Sequence, residues 1–80
     1  MITITRQTQS TIIVPRAFDP LGLRLFLRRG CTSIEVPITA VAECDSTSVM
    51  CVADCIDTGV YNATFDDSIN NPLHTQIQVK

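Results

Sequence analysis

The sequence predicts an all-β domain, a small antiparallel β-sandwich of about seven short strands. Three observations carry this expectation. Apolar and polar residues alternate with period two in Ile2–Thr5, Leu23–Arg28, Val60–Phe65 and Leu73–Lys80, the pattern of a strand with one buried face. Turn residues recur at intervals of about eight to twelve residues. The apolar 45% of the 80 residues is mostly Ile, Val and Leu, with three Phe, one Tyr and no Trp. A thin aliphatic sandwich suits that composition better than a ligand pocket does. Residues 1–80 are expected to form one domain. A chain this short buries only about 60% of its unfolded surface, so its stability margin is narrow.

Ile2-Thr3-Ile4-Thr5 reads as the first strand, and Arg6 to Ser10 as a polar turn. Thr11-Ile12-Ile13-Val14 is an apolar run that predicts a strand buried on both faces, ended or placed at an edge by Pro15. Asp19-Pro20-Leu21-Gly22 is a turn signal. In the next segment Leu23, Leu25 and Leu27 alternate with Arg24, Phe26 and Arg28. The period favours a strand, while Leu and Arg are also good helix formers, so a short helix is the alternative. Ser33–Val36 is a short strand stopped by Pro37; Ile38–Ala42 is a further strand candidate, and Cys44–Ser48 reads as a loop.

Thr47 to Asp67 reads as strand, tight connection, strand. Val49, Cys51, Ala53 and Cys55 share one face, and Tyr61, Ala63 and Phe65 oppose Val60, Asn62 and Thr64. Asp57-Thr58-Gly59 supplies turn chemistry between the two strands. After the polar turn Ser68–Pro72, Leu73, Thr75, Ile77 and Val79 face one way, and His74, Gln76, Gln78 and Lys80 the other.

The net charge of −2 argues against nucleic acid as a partner, although Arg24, Arg28 and Arg29 near Phe26 form a small basic and aromatic group. The distribution is uneven. Residues 1–30 hold five Arg against one Asp, and residues 31–80 hold one Lys against seven acids. This reads either as ordinary solvated faces or as one basic and one acidic surface suited to packing against neighbours of opposite sign. Met1 leads straight into Ile-Thr alternation without a signal-like apolar run, so residence in a cytoplasm is expected. Disulfides are not the default there. No stretch approaches membrane-spanning length, and no membrane partner is expected.

No catalytic constellation is visible, and neither enzymatic activity nor a cofactor is expected. The single His74 has no motif around it that would make it the base of a nucleophile. Cys31, Cys44, Cys51 and Cys55 allow three disulfide pairings. Cys51 and Cys55 alone come near a zinc-knuckle spacing, but they fall on a strand about 13 Å apart along its length. Buried free thiols acting as small hydrophobes are the expected state, with disulfides formed after release and a zinc staple as alternatives. Asp54, Asp57, Asp66 and Asp67 read as turn or edge acids rather than a calcium site.

Asp57-Thr58-Gly59-Val60-Tyr61 resembles the start of strand F in immunoglobulin-like domains, where the segment forms a tyrosine corner. The resemblance implies that the Tyr61 hydroxyl bonds back to nearby backbone, with Asp57 and Gly59 in the turn. Ala63 stands where an antibody-type domain has its second cysteine, and there is no Trp. The implied fold is therefore an Ig-like sandwich rather than a true immunoglobulin domain.

The layout also resembles small β-sandwich structural proteins of tailed-phage virions. Met1 to Arg6, Gly59 to Phe65 and Thr75 to Lys80 fit that outline. The resemblance implies a virion accessory protein, made in the host cytoplasm and housed in the virion: a capsid-decoration, head-fibre-anchor or neck/tail subunit. It would act as a homo-oligomer or lattice-bound subunit by binding other virion proteins, meaning capsid, neck or tail subunits. Exposed strand edges and faces would make the contacts, with Ile2, Ile4, Arg24, Arg28, Arg29, Gln76 and Gln78 as interaction residues. A small zinc- or thiol-dependent binding module is the alternative class.

Overall fold

A computed structural model describes residues 2–54 and 56–80. Eight strands follow one another: β1 (Ile2–Ile4), β2 (Gln9–Val14), β3 (Arg24–Arg29), β4 (Thr32–Val36), β5 (Ile38–Glu43), β6 (Ser46–Val52), β7 (Gly59–Asp66) and β8 (Leu73–Val79). They form a five-stranded sheet in the order β1-β8-β7-β3-β4 and a three-stranded sheet in the order β2-β6-β5. No helix is long and apolar enough to cross a membrane among the described residues.

Lettered along the chain as A, B, C, C′, D, E, F and G, the strands place B-E-D opposite A-G-F-C-C′. This is the strand order of an immunoglobulin-type sandwich in which the first strand pairs with the last. The predicted all-β sandwich is therefore present, with eight strands rather than about seven. One pairing departs from an antiparallel sandwich: β1 and β8 run parallel, with Ile2 beside Ile77 and Ile4 beside Val79. Beyond β1 the Arg6 N–H donates to the Lys80 carbonyl at 2.7 Å, and the Lys80 N–H donates to the Ile4 carbonyl at 2.9 Å. Arg6 also forms an isolated parallel bridge with Ala53, just beyond the end of β6.

Period two decides what each strand buries. Leu25 and Leu27 of β3, Phe65 of β7 and Ile77 of β8 are fully buried. They meet Val49 and Cys51 of β6 and Ile12 and Val14 of β2 in one continuous core. Leu23–Arg29 is thus strand, not helix: Leu at every second position fills a sheet face, which a helical period would have scattered around an axis.

Several expectations are corrected. β6 and β7 are not a hairpin; they belong to opposite sheets. Each carries one apolar face, and the two faces reach the shared core from different sheets, with Ile56 of the intervening chain also buried in it. Only Cys44 and Asp45 separate β5 from β6, because Ser46–Ser48 already belong to β6. Ile13 is not buried: β2 has a single inward face, Ile12 and Val14, and leaves Ile13 63% exposed. Pro37 lies between β4 and β5, at the point where the chain leaves one sheet for the other. A residue without an N–H suits a place where ladder pairing stops.

Two buried polar groups fasten the crossings. The Thr47 hydroxyl accepts from the Phe18 N–H at 2.9 Å and donates to the Arg16 carbonyl at 2.8 Å, holding the connection from β2 to β3 against the start of β6. Asp67 accepts four N–H bonds: from the backbone of Asp19 (2.9 Å), Ile69 (3.0 Å) and Asn70 (2.7 Å), and from the Asn70 amide (2.7 Å). Burial by itself would raise the Asp67 pKa. The backbone donors Asp19, Asn70 and Ile69 and the Asn70 side chain outweigh it and hold the carboxyl far below the usual carboxylate range.

Candidate functional site

The outer face of the five-stranded sheet gathers most of the polar residues singled out from the sequence. Register sets them in rows. Gln76, Asn62, Arg28 and Ser33 stand side by side across β8, β7, β3 and β4; the next row is His74, Thr64, Phe26 and Glu35. Gln78 stands beside Val60 on β7 and Thr3 on β1. Between the first two rows lies a shallow depression of about 550 Å³, lined by Arg28, Asn62, Thr64, His74 and Gln76. Alternation puts these side chains outward for the same reason that it puts Tyr61, Ala63, Phe65 and Ile77 inward.

The face is rich in groups that both donate and accept. Asn62 and Gln76 present amides and Thr64 a hydroxyl; Arg28 adds a guanidinium fork that only donates. His74 Nδ1 lies 3.1 Å from Thr64 Oγ1, which ties β8 to β7 at the rim. Arg24 lies 3.8 Å from Glu35, with side chains 69% and 53% exposed, a solvent-screened pair of little net worth. Arg24 also stands opposite Asp66, whereas Arg28 has Asn62 and Ser33 as neighbours, so Arg28 carries the uncompensated charge. The sequence's basic and acidic halves therefore do not become two surfaces. Sheet order inserts β3 between β7 and β4, which brings both signs onto one face.

Four of the seven predicted interaction residues, Arg24, Arg28, Gln76 and Gln78, share this face. The other three do not. Ile4 is 2% exposed and Ile2 packs half-buried against the core, because β1 turns its isoleucines inward. Arg29 points to the inner side of β3 at the end of the sheet; its guanidinium lies over the Tyr61 ring and donates to the Thr58 carbonyl at 3.1 Å. The C-terminal strand is not a sheet edge either, since β8 is flanked by β1 and β7. Asn62, Thr64 and His74 were not singled out as contacts, although their place on the polar side of β7 and β8 was readable from alternation.

The Tyr61 hydroxyl donates to the Asp57 carbonyl at 2.7 Å, the bond of a tyrosine corner. Gly59 between them has φ +147°, and a Cβ there would collide with Arg29 Nη1. Cys51 is buried, and burial pushes its thiol pKa up, so it is held neutral. Cys31 and Cys44 are exposed rather than buried, because both fall in hairpin turns that have no inward face. Cys55, and with it the Cys51–Cys55 pairing, lies outside the described residues. No group of three or more His, Cys, Asp or Glu is placed to hold a metal ion among the described residues.

In comparisons with known proteins, no family model, no curated protein and no solved structure matches the chain. The strand order and its polar face define a small two-sheet β domain.

Proposed function

We propose that this domain is a protein-binding module that attaches through the outer face of the five-stranded sheet, and that it serves as an accessory structural subunit of a phage virion. One observation carries the binding role: Arg24, Arg28, Gln76 and Gln78, far apart in sequence, converge on one largely polar face, with Arg28 and Gln76 lining its shallow depression. A face of this kind offers hydrogen-bond donors and acceptors over a broad, shallow area. That suits the polar surface of another folded subunit better than a small ligand, which needs a deep, largely apolar enclosure. The virion assignment rests on the sequence layout, from Met1–Arg6 to the Gly59–Phe65 and Thr75–Lys80 strands. A repeating lattice of partners would let a weak single contact hold firmly.

Co-sedimentation of the purified protein with empty capsids and with isolated tails tests this reading. Binding to one of them, lost in Arg28→Glu and in Gln76→Glu, is the expected result. Failure to bind any virion part, or binding indifferent to both substitutions, overturns it.

A further inference from the structure

β4 ends the order of the five-stranded sheet. It pairs with β3 on one side and, among the described residues, with no strand on the other. Gly30 and Cys31 join β3 to β4, and Gly30 has φ +60°, as the first position of a two-residue hairpin turn requires. Arg29 and Thr32, which flank that turn, form a hydrogen-bonded pair. Antiparallel pairs alternate from there. Thr32, Ile34 and Val36 therefore aim their N–H and C=O groups at β3, and Ser33 and Glu35 aim theirs away from the sheet. A cleft of about 290 Å³ lies beside this free edge. Buried Val36 and Ile56, half-buried Ile34 and exposed Val52 make it apolar, and Glu35 and Asp54 are exposed around it. From this juxtaposition we infer that β4 is a docking edge for an extended segment of another protein, one that alternates basic and aliphatic residues.

Three features select that occupant. The first is the backbone. Ser33 and Glu35 each offer an N–H and a C=O at the spacing of an added strand, which is how β-augmentation recognises main chain. The second is the cleft. A strand laid along β4 turns every second side chain to the side of Ile34 and Val36, where the cleft lies. At about 290 Å³ the cleft is smaller than most small-molecule sites, roughly 300–1,000 Å³, and suits an aliphatic side chain. β3 already meets the other side of β4 in this manner, with Leu25 beside Val36 and Leu27 beside Ile34.

The third feature is charge. Among the described residues the lining holds two acids, Glu35 and Asp54, and no base. Arg24 lies 3.8 Å from Glu35, but that exposed pair is screened by solvent and leaves Glu35 able to take a second cation. A basic residue opposite Glu35 stands on the outer side of the sheet while its aliphatic neighbour enters the cleft. A second copy of the chain, paired through its own β4, would instead bring another Glu35 and Asp54 against these acids. Charge thus selects an unlike, basic partner.

NMR titration of the isotope-labelled full chain, kept reduced, with the capped peptide Lys-Val-Lys-Val-Lys tests the inference. Saturable shifts are expected in the amides of Ser33, Glu35 and Asp54, with amide exchange at Ser33 and Glu35 slowed in the bound state. Three control peptides should each bind about tenfold more weakly or worse: Glu-Val-Glu-Val-Glu, Lys-Ser-Lys-Ser-Lys, and the parent peptide N-methylated at its lysines, whose N–H groups face β4. Glu35→Lys, at an exposed position, should narrow the preference for the Lys-Val over the Glu-Val peptide at a Tm close to that of the parent. No saturable shift at millimolar peptide, equal binding of the Lys-Val and Glu-Val peptides, or binding that leaves exchange at Ser33 and Glu35 unchanged overturns the inference. Each of these failures leaves the proposed virion contact standing, because co-sedimentation of Arg28→Glu and Gln76→Glu reads the outer face of the sheet and not its edge.

Discussion

The Arg29 guanidinium lies 4.8 Å from the centroid of the Tyr61 ring and reaches the Thr58 carbonyl through the space left by the missing Cβ of Gly59. Tyr61 is thus held at both ends of its side chain, by a cation over its face and by the Asp57 carbonyl at its hydroxyl. These contacts fix the turn that starts β7, the central strand of the five-stranded sheet. They also make Arg29 a structural residue of the corner rather than a free surface charge.

Removing the hydroxyl alone isolates the corner bond. Tyr61→Phe keeps the ring and the stacked guanidinium but leaves the Asp57 carbonyl without its donor. The expected loss is about 1–2 kcal/mol in urea unfolding, with an unchanged circular dichroism spectrum.

Gly59→Ala introduces two separate problems, a disfavoured φ of +147° and a Cβ in the path of Arg29. The backbone part costs about 1–3 kcal/mol. The side-chain part vanishes once Arg29 is gone, so a double-mutant cycle with Arg29→Ala should show coupling, the alanine at 59 costing less in that background. Strict additivity would show that Arg29 does not occupy the space above Gly59 in solution.

Thr47→Val preserves shape while deleting a hydroxyl that makes two buried bonds. The Phe18 N–H loses its acceptor and the Arg16 carbonyl its donor. A loss of about 2–3 kcal/mol in chemical denaturation is expected, whereas Thr47→Ser should lose less because both bonds survive.

Asp67 makes stability depend on acid. Its folded pKa is depressed below the unfolded value of about 3.9, so its contribution is complete above roughly pH 4 and is lost as pH falls below that. Thermal melts of the parent from pH 7 down to pH 2 should show Tm dropping through this window. Asp67→Asn should melt lower at pH 7 and lose part of that acid dependence. A variant with the parent's full pH profile would assign the dependence to other carboxylates.

The faces of β3, β7 and β8 were legible because alternation states directly which residues go inward: Leu25 and Leu27, Tyr61 and Phe65, Ile77 and Val79. Which strand lies beside which was less so. The stretch from Thr47 to Asp67 carries hairpin-like turn residues, yet its two strands belong to different sheets. Period two fixes a strand's buried side and is silent on its neighbours. The parallel placement of β1 beside β8 is likewise a pairing of residues more than 70 positions apart, such as Ile2 with Ile77, which no local pattern records. The polar face shows the same division. Outward orientation of Gln76 and Gln78 was readable, while their convergence with Arg24 and Arg28 depends on sheet order. Asp67 and Thr47 gave no sign of burial, since their polar side chains are satisfied by loop backbone that only the folded chain assembles.

The parallel pairing of β1 with β8, continued by the bonds of Lys80 to Ile4 and Arg6, has a mechanical consequence. Tension applied to the two chain ends pulls these neighbouring strands in opposite directions along their length, so the bonds between them are loaded together rather than peeled one at a time. A domain tethered at both ends would resist stretching through this clasp, and the clasp would be the first element to yield.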